Sequence, residues 1–248
     1  MLQNFESIVL IWLGIGFITF ITLLKIPAPY GKFSKTNWGP MIPSKLGWIV
    51  MEIISPLALL YFFLNGNIEK TPTNITFVSL WTLHYFNRSV IYPLRQNNPA
   101  QMPLLIAVLA FLFNVMNGYI NGTYFGSIQE YSAEYMSNWN FIVGVCLFII
   151  GAYINIKSDN ILLSLRSKSG EYKIPEGFMF RYVSFPNYLG EILEWMAFAL
   201  MTWSLAGLSF MIWTMANLVP RAIKGHQWYH DKFESYPKNR KAIFPFII

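Results

Sequence analysis

Apolar stretches of membrane length recur along this chain from its first turns almost to residue 220. A hydrocarbon core takes about 20 mostly apolar residues per helix. The sequence offers seven candidate spans, 7–24, 46–64, 75–93, 102–120, 138–156, 186–203 and 205–220. The last two are short and nearly contiguous, so they read as a tight helical hairpin or one long bent helix, and six spans is the fallback count. Charged residues make up 12% of the chain, roughly half the share typical of a soluble domain, and mean hydropathy is +0.40. This composition excludes disorder, a coiled coil and a basic nucleic-acid arm. The single cysteine, Cys146, excludes a disulfide framework and a cysteine-rich zinc site, and it reads as inert packing in an apolar span. The first apolar run continues as a full span without a small-residue cleavage site, so no cleaved leader is expected. The reading is an all-α polytopic integral membrane protein, a seven-transmembrane-helix bundle forming one domain over 1–248, with no repeat and no linker.

Charge then sets the orientation. With seven spans, segments 25–45, 94–101, 157–185 and 221–248 lie on one side and hold 16 of the 18 Lys and Arg. The far side has only Lys70, and Arg88 lies within a span. The positive-inside rule predicts an outside N-terminus and a cytoplasmic C-terminus. The net charge of +6 thus marks cytoplasmic faces and not a nucleic-acid surface. The tail from Arg221 is too polar to cross; by itself it reads as an interfacial helix on anionic lipid. The triplets Asn74-Ile-Thr76 and Asn121-Gly-Thr123 fall on outside loops and carry no functional weight.

Polar groups within the spans point to a site. Glu52, Glu191 and Glu194 would together cost roughly 7–10 kcal/mol if left charged and unpaired in lipid. They must face a cavity, be protonated or find donors; taken singly, each could be a helix-packing contact. In Leu83-His-Tyr-Phe-Asn-Arg88, helical spacing puts His84 and Arg88 on one face, with Tyr85 and Tyr92 on a neighbouring stripe. An aromatic belt accounts for Tyr92 but poorly for Arg88. Asn155 and Asp159 stand at i, i+4 with Arg166 two turns on, an amide, a carboxylate and a guanidinium able to grip a sugar hydroxyl and a phosphate. An ordinary cytoplasmic helix end would also carry such residues. Asn187-Tyr-Leu-Gly-Glu191 opens a membrane helix that suits a carboxamide better than a phosphate, with Gly190 permitting close backbone approach. Gly14-Ile-Gly16 has no preceding strand and is rejected as a dinucleotide motif. His226 and His230 lack a third ligand, so no metal site is assigned.

Taken in order, these segments resemble the steroid 5-alpha-reductase family (3-oxo-5-alpha-steroid 4-dehydrogenases). The pieces are Met51-Glu-Ile-Ile-Ser-Pro56, Leu83-His-Tyr-Phe-Asn-Arg88, Asn155 with Ser158-Asp159 and Leu165-Arg166, and Tyr172-Lys-Ile-Pro. They continue through Tyr182-Val-Ser-Phe-Pro-Asn-Tyr-Leu-Gly-Glu191, Glu194-Trp195, and Arg221, His226, Tyr229, Lys232-Phe-Glu-Ser-Tyr-Pro and Arg240-Lys-Ala-Ile-Phe-Pro-Phe. The resemblance runs from about Pro43 to the C-terminus and is most specific over the last hundred residues.

It implies NADPH-dependent reduction of the C4–C5 double bond of a 3-oxo-Δ4-steroid, which enters from the bilayer. Glu52 and Tyr85 then hold the 3-keto oxygen. Asn155, Asp159, Arg166, Tyr172, Asn187, Glu191, Arg221, His226 and Tyr229 belong to the cofactor pocket, with Arg88 and Tyr92 grouped beside them and residues 221–248 forming part of it. Arg166 and Arg221 are the expected phosphate clamps. Two departures stand out: Gln96-Asn-Asn-Pro-Ala-Gln101 where the family has basic residues, and Lys173 and Gly177-Phe178 around the Ile-Pro turn where it has an arginine and a glycine pair. Hydride addition to the enone's β-carbon puts negative charge on the 3-oxygen, which Tyr85 and a neutral Glu52 could stabilise in a dry site. Three other readings remain: reduction of an enoyl thioester or a polyprenal, an isoprenylcysteine-type methyltransferase using S-adenosylmethionine, and a non-enzymatic sterol-binding protein. The host membrane is the bacterial inner membrane or the endoplasmic reticulum, and no obligate protein partner is expected.

Overall fold

Helix boundaries fall where the sequence supplies caps. In a computed structural model, which describes residues 2–96, 100–165 and 171–248, the chain is mostly helical. The helices are α1 (Leu2–Lys25), α2 (Ser44–Leu64), α3 (Pro72–Phe86), α4 (Tyr92–Leu94), α5 (Leu104–Thr123), α6 (Trp139–Leu165), α7 (Pro186–Thr202) and α8 (Leu205–Lys232). Thr71 caps α3 by accepting from the Asn74 N–H at 3.2 Å, with Pro72 in the first turn. Between α7 and α8, Trp203 takes a left-handed conformation and Ser204 caps α8 through the Gly207 N–H at 3.0 Å. The last two expected spans are therefore a tight hairpin. Beyond residue 220, α8 runs on through the basic, aromatic segment as far as Lys232.

Among the described residues, four stretches are long and apolar enough to cross a membrane: Leu2–Lys25, Ser44–Leu64, Leu104–Ile128 and Trp139–Leu165. The chain is a membrane protein, and apolar side chains such as Ile11, Phe17, Leu64, Leu83 and Ile149 face outward. Cys146 also faces outward from α6, so it is not interior packing. The expected span 75–93 is interrupted: α3 passes through a π-helical turn, Asn87–Ile91, into α4. Such turns widen a helix locally and re-aim its side chains, and Arg88 sits in this one.

The fold is not wholly α. Strands β1 (Met41–Pro43) and β2 (Gln101–Pro103) pair antiparallel, Ile42 opposite Met102. Each ends in a proline that cannot extend a ladder and passes directly into a helix, α2 or α5. The ribbon ties the starts of two helices that pack along their length. The core between α3, α6, α7 and α8 is aromatic: Trp81, Trp195 and Phe210 pack in tilted and edge-to-face pairs with centroids 4.3–4.9 Å apart. Both glycosylation triplets begin on buried asparagines. Asn74 bonds the Phe125 and Gln129 carbonyls and the Tyr131 N–H, so its role is structural.

Candidate active site

Helices α6 and α7 approach until backbone meets backbone. A Cβ on Gly151 would lie 2.7 Å from both the Glu194 nitrogen and the Gly190 carbonyl oxygen. Gly190 therefore serves the close contact expected of it. Across this seam Asn155 Nδ2 donates to the Asn187 carbonyl at 3.0 Å, and Asn187 Nδ2 donates to Asp159 Oδ1 at 3.0 Å.

Arg88 extends the group to α2. Its guanidinium lies 3.5 Å from the Asp159 carboxylate and 3.9 Å from that of Glu52, and Glu191 is within electrostatic reach. All three paired side chains are nearly buried. The plane of the guanidinium also covers Trp48 and Tyr92, 4.8 and 5.3 Å from their centroids, a cation–π arrangement suited to arginine. Within α2, Pro56 has no N–H to offer the Glu52 carbonyl. Tyr85 lies on the same side of α3, within electrostatic reach of Glu52. Two of the three carboxylates singled out have thus found polar partners: Glu52 lies 3.9 Å from the Arg88 guanidinium, and Glu194 meets His84 at 2.8 Å.

A second group gathers around α8 and the loop after α1. Arg221 donates to the Ala28 and Tyr30 carbonyls at 3.2 and 3.0 Å and to the Tyr188 hydroxyl at 3.0 Å, with its guanidinium 3.5 Å over the Tyr30 ring. Tyr30 packs edge-on to Trp48, and Trp48 to Tyr92, at 6.3 and 5.9 Å, so aromatic rings join the two groups. Burial pushes the Tyr30 phenol up to about 12, against the pull of Arg221. Lys32 inserts among Phe185, Trp228 and Tyr229, its Nζ 4.1–4.7 Å from their centroids. Burial, helped by Arg221, lowers its pKa to about 7. Tyr172 packs on Trp228 at the exposed rim.

His226 belongs to a third corner. Its Nδ1 and the Tyr236 hydroxyl both lie 2.6 Å from Ser184 Oγ, and buried Arg240 donates to the Pro175 carbonyl and Tyr236. Burial first, then His230, Arg240 and Lys241, lowers the His226 pKa to about 4.

The structure groups Glu52, Arg88, Tyr92, Asn155, Asp159, Asn187 and Glu191 in one place, Tyr172, Arg221 and Tyr229 in a second and His226 at a third corner, where the sequence reading had a single cofactor pocket beside Glu52 and Tyr85. Arg166 lies outside the described residues. Tyr30, Lys32 and Trp48 were missed. Trp48 stands one turn before Glu52, a spacing the sequence does show, whereas the turn at Gly31, φ +60°, that presents Tyr30 and Lys32 emerges only in the structure.

A family profile described as 3-oxo-5-alpha-steroid 4-dehydrogenase matches residues 100–248. A steroid 5-alpha-reductase DET2 of Solanum lycopersicum is 44% identical, covering 98% of this chain and 96% of its own length. A 3-oxo-5-alpha-steroid 4-dehydrogenase 1 of Rattus norvegicus is 37% identical, covering 94% and 91%, and that of Homo sapiens 35%, covering 94% and 92%. The chain belongs to the steroid 5-alpha-reductase family. It is accordingly an oxidoreductase, and the resemblance carried by Glu52, Leu83–Arg88 and the segments after Asn155 extends over nearly the whole steroid 5-alpha-reductase chain.

Proposed function

We propose that this protein reduces the C4–C5 double bond of 3-oxo-Δ4-steroids to 5α-dihydro-3-oxosteroids, with NADPH as reductant. The observation that carries the reading is the Arg88 guanidinium set between Glu52 and Asp159. It joins a carboxyl next to Tyr85 with an amide–carboxylate group suited to a nicotinamide cofactor. The residues fit that cofactor: Asn187 Oδ1 is buried without a hydrogen-bond partner among the described residues, an acceptor suited to a carboxamide N–H. Arg221 supplies positive charge for phosphates, and Lys32 supplies further N–H donors. Bound there, NADPH supplies the hydride.

The chain's own residues do the rest. Tyr85 and a neutral Glu52, from α3 and α2, donate to the 3-oxygen as negative charge develops on it. Preorganised donors of this kind are strong because they need no reorientation in a dry site. Asn155 and Asp159 hold Asn187 in place, and the aromatic wall of Trp48, Tyr92 and Tyr30 excludes water. We read the whole chain as one domain of seven membrane-spanning helices, N-terminus outside and C-terminus cytoplasmic. Arg221, Tyr229 and the rest of 221–248 then face the cytoplasmic cofactor, and the flat, apolar steroid enters from the bilayer of the inner membrane or endoplasmic reticulum.

Incubating detergent-purified protein with NADPH and testosterone or progesterone, followed by mass spectrometry, tests the reading. The expected product is the 5α-dihydro steroid. No product with several such steroids would redirect the assignment to enoyl thioesters or polyprenals.

A further inference from the structure

Helix α6 shows an exposed aromatic ring near each end of its membrane-length stretch, Trp139 and Tyr153. Trp139 packs on Trp203, also exposed, in the turn between α7 and α8. The rise from Trp139 to Lys157 is about 27 Å at the α-helical repeat, close to the thickness of a hydrocarbon core, about 30 Å. With Trp139 at one boundary, Lys157 therefore stands at the headgroup level of the other. Lys157 donates to the Tyr153 hydroxyl at 2.9 Å, and its Nζ lies 4.5 Å from the Phe178 centroid. Phe178 packs edge-on to Tyr153 at 5.9 Å. The loop that begins at Phe178 is thus laid against the outward face of α6 at this level.

The tail is joined to this loop by backbone. Lys241 N–H donates to the Tyr182 carbonyl at 2.9 Å, and Ser184 N–H donates to the Lys241 carbonyl at 2.8 Å. Tyr182 is exposed and packs on Phe246, which is 85% exposed. Among the described residues, the non-glycine residues at positive φ are Phe178, Trp203 and Phe246, at +44°, +44° and +66°. Bulky side chains rarely take that conformation, and strain that persists points to a role for the residue that bears it. Here all three are aromatic and lie at one or other of these two levels. Lys157, Arg181 and Lys241 are exposed and have no ion-pair partner among the described residues. Aromatic rings beside unpaired cations at a bilayer boundary are the makeup of a surface that seats on acidic lipid.

We propose that the loop from Phe178 to Tyr182 and the turn at Phe246 form a docking surface for an anionic phospholipid headgroup of the surrounding bilayer. Lys157, Arg181 and Lys241 meet the headgroup phosphate, while Tyr182 and Phe246 sink into the boundary above the acyl chains. Phosphatidylcholine gains little from these cations, because its own choline cancels the phosphate charge. On the orientation proposed above, the surface meets the cytoplasmic leaflet, where acidic lipids attract basic segments. It uses neither Arg88 nor Arg221 and does not rest on the reaction assigned to the protein.

The test is native mass spectrometry of the full chain, delipidated in detergent and titrated with phosphatidylglycerol or with phosphatidylcholine. Saturating NADPH is present throughout, to keep lipid phosphate out of the cofactor pocket. The first phosphatidylglycerol should bind about ten- to thirtyfold more tightly than the first phosphatidylcholine, the worth of one to two cations at an anionic surface. In the double variant Lys157→Gln, Arg181→Gln that preference should fall below about threefold. Lys157→Gln alone should give an intermediate preference, and it serves if the double variant does not fold. Equal affinities for the two lipids in wild type would overturn the proposal, leaving an aromatic boundary without headgroup selection. A preference undiminished in the variants would overturn it too, since the lipid would then be held elsewhere on the protein.

Discussion

The imidazole Nδ1 of His84 and the carboxylate Oε2 of Glu194 meet at 2.8 Å, joining α3 to α7 in a place almost closed to solvent. Glu194 Oε1 is buried without a hydrogen-bond partner among the described residues, so the pair depends on this one contact. Removing one member of a buried pair costs about 3–5 kcal/mol because the other is stranded. For a chain this size that corresponds to roughly 6–20 °C in melting temperature. His84→Leu and Glu194→Leu should each show such a loss, and the double variant should recover much of it. Thermal unfolding in detergent checks this; additive losses would mean the two side chains act independently.

Arg88 makes two kinds of contact that lysine cannot reproduce together: ion pairs to Glu52 and Asp159 and stacking on Trp48 and Tyr92. Arg88→Lys keeps the charge and loses the planar group. The expected result is a rise of about tenfold in the KM for NADPH, with the fold retained. Arg88→Met should unfold at lower temperature as well, since the Asp159 carboxylate loses its cation and Glu52 a polar neighbour. Steady-state kinetics on Arg88→Lys decide the point, and an unchanged KM would contradict it.

The pH dependence of stability follows from Lys32 and His226. Burial lowers the Lys32 pKa from 10.5 to about 7. Between those values the unfolded chain holds the proton and the folded chain does not, so stability should rise with pH across that window. His226, lowered from 6.5 to about 4 by burial and its cationic neighbours, should give the same sign between those values. Lys32→Met should flatten the upper window and leave the lower one intact. Melting temperatures between pH 4 and 10 on wild type and variant test both.

A methyl group at Gly190 would press on the Gly151 carbonyl and the Asn155 backbone, and one at Gly151 on Gly190 and Glu194. Overpacking of this kind costs about 1–3 kcal/mol. The hydrogen bonds joining Asn155, Asn187 and Asp159 cross the same seam, so Gly190→Ala and Gly151→Ala should raise the cofactor KM together with lowering stability. Gly14, with nothing within 4 Å of a built Cβ, is the control: Gly14→Ala should change neither.

What could be read from the sequence was what repeats at a fixed period or sits against its surroundings. The apolar runs located the helices, and Glu52, Arg88 and Glu194 stood out because lipid cannot hold them unpaired. Their partners were not legible. Spacing puts His84 and Arg88 on one face, but only packing brings His84 to α7 and sends Arg88 to α2 and α6. The π-helical turn at Asn87–Ile91 has no period to detect. The β1–β2 ribbon is three residues on each side, too short for alternation to register. Tyr30 and Lys32 looked like loop residues because nothing local says that a loop will fold back on α8.

The distance along the chain between pairing partners has a consequence for biosynthesis. Glu52 and Arg88 are made close together and can meet as soon as α3 and its π-helical turn have formed. His84 is 110 residues ahead of Glu194, which at roughly 5–20 residues per second is on the order of 5–20 s of translation. For that interval the ribosome holds a nascent chain whose third helix presents an imidazole with its counterpart not yet synthesised. A ribosome stalled before α7 would leave that polar surface open for as long as the stall lasts, giving quality-control machinery a feature by which to tell the arrested chain from a finished one.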